Sequence, residues 1–267
     1  MNEKSQLIEL IQNKAKMVAM LAPSFPIVYE YPQIVGKLRA LGFEFIAEVT
    51  IGAKRTNEQV AELLKANPQG RYITSPCPSF VRLVRKRYPH LVPFLAFQAD
   101  SPMIATARIM KERYPGYRPV FIGPCLQKKL ESSEDYPDLE ILVVTYKELD
   151  EIFQQFGIIA KPEYANDAFD IAEMTTRIYP TDGGLTDTSG ARSLLKDEQI
   201  RVVSGWKNFE SALAEFENNK TIKLLDILFC EGGCIHGPGI VSTLPLEDRK
   251  NKVLEYAKRQ DIVQKVA

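Results

Sequence analysis

Short, continuously apolar runs alternate along this chain with longer stretches whose apolar residues recur at helical spacing. Met17–Leu21 is apolar at every position, as a strand covered on both faces requires. Residues 31–41 set Ile34, Val35, Leu38 and Leu41 on one helical face, and Gly42 ends the pattern. The same reading predicts strands over 43–49, 72–74, 119–122, 139–144, 200–204 and 224–229. Helices are predicted over 56–64 with Thr56 as N-cap, over 79–88 stopped by Pro89, over 102–114 closed by Pro115-Gly116, and over 146–156 and 208–217. Residues 1–16 read as an amphipathic helix rather than a signal peptide, since no apolar run follows a basic start. Strand and helix alternating at this spacing predict an α/β fold with mostly parallel sheets. Seven strands are many for one compact sheet, so two lobes are expected, each a small sheet flanked by helices, with a crevice between them. Residues 179–190, with Gly183-Gly184, are the least regular stretch and are expected to form an ordered loop between the lobes. The domain expectation is one two-lobed unit over residues 1–267.

Composition narrows the functions. Lys plus Arg and Asp plus Glu both number 34, so the net charge is zero and no basic excess calls for nucleic acid. No apolar run approaches the roughly 20 residues of a membrane span. A cytoplasmic protein is the expectation, and its reduced thiols argue against a disulfide framework.

The four cysteines change the picture. Cys77, Cys125, Cys230 and Cys234 each fall just past the carboxyl end of a predicted strand, where open α/β sheets bind ligands. Three segments can therefore deliver four thiolates to one crevice. Cys230-Glu-Gly-Gly-Cys234 leads into a Gly-rich turn that can aim backbone N–H groups at a bound anion. Four unrelated buried cysteines and a structural zinc site are the competing readings. Zinc sites favour paired short spacings, whereas the separations here are 48, 105 and 4 residues.

Three segments resemble the cluster-binding signatures of the catalytic domain of iron-only (di-iron) hydrogenases. Thr74-Ser-Pro-Cys77-Pro-Ser-Phe is similar to Thr-Ser-Cys-Cys-Pro-Gly-Trp, and Pro124-Cys125-Leu-Gln-Lys128-Lys-Leu-Glu131 to Pro-Cys-x-x-Lys-x-x-Glu. Asp226-x-x-x-Cys230-Glu-Gly-Gly-Cys234-Ile-His-Gly-Pro-Gly is similar to Glu-x-x-x-Cys-x-Gly-Gly-Cys-x-x-Gly-Gly-Gly. Leu21-Ala-Pro-Ser24 and Ser101-Pro102 fit as well, and the match runs from about Lys16 onward. The resemblance implies that Cys77, Cys125, Cys230 and Cys234 hold a 4Fe-4S cubane. It further implies that Cys234 bridges to a di-iron subsite carrying CO, cyanide and an azadithiolate. Lys128 matches a lysine that donates to a subsite cyanide, and Glu131 stands where it can pair with that lysine. Pro23, Ser24 and Pro102 match residues that wall the subsite.

Three departures bear on chemistry. The family's proton-carrying cysteine is replaced by Pro76, and two usual methionines by Gly123 and Leu228. These losses resemble a divergent, sensory-type branch that carries a glutamate after the third cysteine, as Glu231 does here. Beside a buried anionic cluster, Glu231 is expected to have a raised pKa and to serve as an alternative proton shuttle, with His236 a second titratable group in that loop. No ferredoxin-like run of cysteines is present, so no accessory-cluster domain is expected and electrons are expected from an external ferredoxin or other redox partner. The di-iron subsite would require maturation enzymes. Three functions follow: a minimal hydrogenase of low turnover, a non-catalytic H2 or redox sensor, and a cubane-only electron-transfer protein.

Overall fold

The computed structural model describes residues 2–260 and contains seven strands among them. These are β1 (Met17–Leu21), β2 (Phe45–Glu48), β3 (Tyr72–Ile73), β4 (Arg118–Gly123), β5 (Leu142–Thr145), β6 (Ile200–Ser204) and β7 (Leu224–Leu228). They form two all-parallel sheets, one ordered β2-β1-β4-β5 and the other β3-β7-β6. β1 and β7 are buried at every position, which is why their sequences are unbroken apolar runs apart from Asp226.

The helices are α1 (Glu3–Gln12), α2 (Gln33–Ala40), α3 (Thr50–Ala66), α4 (Pro78–Arg87), α5 (Pro102–Arg113), α6 (Gln127–Leu130), α7 (Tyr146–Gln155), α8 (Gly184–Thr188), α9 (Ala191–Leu194), α10 (Phe209–Asn218) and α11 (Leu246–Ala257). α7 opens with a reciprocal cap in which Thr145 and Glu148 each bond the other's backbone N–H. α5 opens on Ser101, with Pro102 at its first position. Gly52 lets α3 approach α5 closely: a Cβ there would lie 2.2 Å from the Pro102 carbonyl oxygen.

Several boundaries differ from the sequence reading. α3 begins at Thr50, so Thr56 lies inside the helix. Its hydroxyl instead donates to the carbonyls of Gly52 (3.0 Å) and Asp100 (2.8 Å). β2 occupies only part of the 43–49 stretch, and β5 starts at Leu142 because Pro137–Leu139 forms a 3-10 turn. The expected loop over 179–190 contains α8, whose Thr186 docks on β7 through Asp226. The pattern reading did not anticipate α11, which buries only Val253 and Tyr256. No helix among the described residues is long and apolar enough to cross a membrane.

Candidate functional site

The cysteines stand where the carboxyl ends of the two sheets face one another. Cys77 follows β3 and occupies the N-cap position of α4, whose first residue is Pro78. Cys125 follows β4 through Pro124, and the backbone N–H groups of Gln127 and Lys128 point at it. Cys230 and Cys234 flank the turn after β7.

Two glycine contacts fix that turn. Gly233 has φ +94°, and a Cβ on it would lie 2.6 Å from the Pro180 carbonyl oxygen. This close approach lets Thr181 pair with Gly233 and lets the Asp182 N–H donate to the Gly232 carbonyl at 3.1 Å. On the other side, the Gly239 N–H donates to the Pro124 carbonyl at 2.7 Å, joining the Cys234 loop to the Cys125 loop. Beneath them, buried Asp226 accepts from Thr74 Oγ1 (3.3 Å), from Thr186 Oγ1 (2.8 Å) and from the Thr186 N–H (3.1 Å). The acid of the third motif is thus a structural tie between β3, β7 and α8. Burial raises its pKa, against the lowering effect of those donors.

All four thiols are free and half-buried, and they lie close enough to repel one another as anions. Burial, then the charges of Cys77 and Cys125, push the Cys230 thiol up to about 12. Cys234 is driven well above the ordinary thiol value by burial and by the other three cysteines. Cys125 is raised by burial and Cys77, partly offset by Lys128. Four thiolates in such a crevice require a metal-centred positive charge. Among the described residues, no three His, Cys, Asp or Glu side chains are placed to hold a single metal ion.

Beside Cys234 and Cys125 lies a mostly apolar pocket of about 70 Å³. Pro23 and Ser24 after β1, Val49 after β2, Pro102 of α5, and Pro76 and Leu228 from the second sheet line it, together with Lys128 and Tyr179. The residues expected to wall a subsite, Pro23, Ser24 and Pro102, therefore all reach one cavity. Ser24 is fully buried, its hydroxyl 2.8 Å from that of Tyr146, which donates to the Ala22 carbonyl at 2.9 Å. Lys128 is buried, and its ammonium donates to Glu131 Oε2 (2.6 Å), Ser101 Oγ (3.0 Å) and the Pro76 carbonyl (3.2 Å). The Lys128–Glu131 pairing expected from spacing is present as a buried ion pair. Glu131 opens a single π-helical turn, Glu131–Asp135.

Glu231 departs from expectation. It is exposed at the rim of the loop, so the desolvation on which its proposed shuttle role rested is absent. His236 is exposed as well. The sequence reading missed Tyr146 and Tyr179, which reach the site through tertiary docking and carry no motif.

Parallel sheets whose strand ends bring four thiols to one crevice define an α/β protein with a cysteine-lined site. The match to a family model makes the class specific: residues 15–238 match the family described as iron only hydrogenase large subunit, C-terminal domain, and the chain belongs to that family. It is 26% identical over 260 residues to iron hydrogenase 1 of Clostridium pasteurianum, covering 78% of this chain and 45% of that protein. It is 27% identical over 192 residues to the cytosolic Fe-S cluster assembly factor NAR1 of Encephalitozoon cuniculi, covering 62% of this chain and 51% of that protein. The chain thus spans about half the length of these relatives. A solved variant of [FeFe]-hydrogenase HydA1 from Chlamydomonas reinhardtii superposes with TM-score 0.72 at 17% identity, covering 100% of this chain and 91% of that one. The α/β fold with parallel sheets flanked by helices is that of these hydrogenases.

Proposed function

We propose that this chain is an iron–sulfur protein in which Cys77, Cys125, Cys230 and Cys234 hold one 4Fe-4S cubane, with a di-iron subsite in the adjoining pocket. The reading makes it a hydrogen-converting protein of low turnover. The observation that carries it is the pocket beside Cys234: a simple cubane carrier has no need of an apolar cavity bordered by a buried lysine. When bound, such a group supplies the redox chemistry of protons and H2. The chain's residues bind it through four thiolates, exclude water with Pro23, Val49, Pro76, Pro102 and Leu228, and set Lys128 as cationic donor at the wall. Lys128 is held ready by Glu131 and Ser101, and its longest bond, to the Pro76 carbonyl, is the one it can exchange for an anionic ligand.

Low turnover follows from Pro76. It occupies the pocket wall with no exchangeable proton, and proton delivery by a positioned side chain is worth roughly 10²–10⁴-fold. Slow conversion at an intact site also suits an H2 or redox sensor. Electrons arrive from an external carrier. A groove beside Cys125 and Cys230, bordered by Arg82, Lys86, Arg87, Leu126 and Phe229, suits an acidic ferredoxin-like partner.

A second reading, a cubane-only protein with a role in cluster assembly, is supported by the assembly-factor relatives and by the full set of internal acceptors around Lys128. Infrared spectroscopy after maturation with the di-iron cofactor separates the two. Metal-bound CO and cyanide bands are expected. Their absence from protein that retains a cubane would leave the second reading.

A further inference from the structure

Among the described residues lining the pocket, Tyr179 carries a buried hydroxyl without a hydrogen-bond partner. The other polar groups of the wall are engaged: Ser24 with Tyr146, and Lys128 with three acceptors. A buried hydroxyl left unpaired is costly, so an orphan of this kind calls for an explanation.

Backbone contacts fix where Tyr179 stands in the chain's fold. Residues 180–182 are pinned to the cysteine turn by the Thr181–Gly233 bridge and the Asp182–Gly232 hydrogen bond, one residue from Cys234. Gly184 packs against the Ile178 carbonyl and the Tyr179 backbone, where a Cβ would lie 2.4 Å from the nearest atom. Tyr179 thus cannot swing out without undocking the turn. Burial, with Asp226 and Cys234 nearby, raises its pKa well above the ordinary phenol value, so the group remains a donor.

We infer that the Tyr179 hydroxyl donates a hydrogen bond to an anionic atom, sulfur or terminal ligand, of the iron–sulfur group held through Cys234. This deepens the proposed function and rests on it. The hydroxyl is a positioning and tuning group. A donor to the reduced, more negative group favours reduction, and it holds any terminal ligand in one orientation.

The test compares the wild-type chain with Tyr179→Phe, which keeps the ring and removes only the hydroxyl. Three measurements are made: melting of the apo proteins, reduction potential after anaerobic reconstitution with iron and sulfide, and infrared bands after di-iron maturation. The Phe variant should melt at the same temperature as wild type or higher, because an unpaired hydroxyl has been removed, and should bind as much iron. Its potential should move negative if the acceptor is a sulfur, or its cyanide bands should shift if the acceptor is a terminal ligand. A lower apo melting temperature would show that the hydroxyl has a structural partner and would overturn the inference. So would an unchanged potential together with unchanged bands. Wild-type protein that takes up no iron would overturn the proposed function itself, and this inference with it.

Discussion

The chemistry of the thiols is set by burial and by one another. Burial penalises each thiolate and each neighbour adds repulsion, so the Cys230 and Cys234 thiols are pushed above their ordinary range. A second buried ionisable group lies at the carboxyl end of the four-stranded sheet. Glu48, at the end of β2, is fully buried, with Oε2 at 3.7 Å from the Arg177 guanidinium and 3.2 Å from Thr50 Oγ1. Burial raises its pKa to about 7, against the pull of Arg177. An acid whose pKa is higher in the folded than in the unfolded state binds more protons when folded. Its stabilising effect is complete below about pH 4, the unfolded value, and is lost as pH rises to about 7. Stability should therefore fall by up to a few kcal/mol across that window from this group alone. Urea titrations of wild type and Glu48→Gln from pH 4.5 to 7.5 check it: the difference between the two proteins should vary with pH and then level off. A pH-independent difference would place the Glu48 pKa in the ordinary range.

Strands β1 and β7, interior to their sheets, were legible because their sequences are apolar runs, broken only at Asp226. Met17–Leu21 and Leu224–Leu228 read as buried strands without reference to any partner, and the cysteines follow strand ends at short distances. What was not legible depends on docking between distant segments. Nothing near Tyr179 in the chain reports that Gly233 packs on Pro180, and nothing near Glu231 reports that its side chain leaves the crevice. The start of α3 was hidden because its first residues, Thr50-Ile51-Gly52, are poor helix formers, and only the approach to α5 explains Gly52. The docking claim is testable at Gly233. Gly233→Ala meets both a positive φ and the Pro180 carbonyl, so it should cost more than about 1 kcal/mol of stability and reduce iron uptake together. Thermal melts and iron assays on the same samples decide it. Wild-type iron content in a destabilised variant would separate the turn's docking from ligand placement.

At the scale of the molecule, the two sheets bring their carboxyl ends to one crevice with two distinct faces. One is the apolar pocket with Lys128 and Tyr179. The other is the groove at Cys125 and Cys230, where exposed Lys86 and Arg87 stand beside Leu126. Arg82, on the same groove, is already paired with Glu134 and Asp135, so Lys86 and Arg87 are the cations chosen for the test. Charge reversal of both, Lys86→Glu with Arg87→Glu, should slow reduction by an acidic carrier about tenfold or more at low ionic strength and much less in high salt. Stopped-flow absorbance of the cluster reads the rate, and an unchanged rate would move electron entry elsewhere on the surface.

The claim on which the rest depends is that the four thiols share one cubane. Anaerobic reconstitution of the chain, followed by iron and acid-labile sulfide analysis and electron paramagnetic resonance of the dithionite-reduced sample, tests it directly. About four irons and about four sulfides per chain, with the signal of a reduced 4Fe-4S cluster, are expected. One zinc or iron per chain without labile sulfide would contradict it.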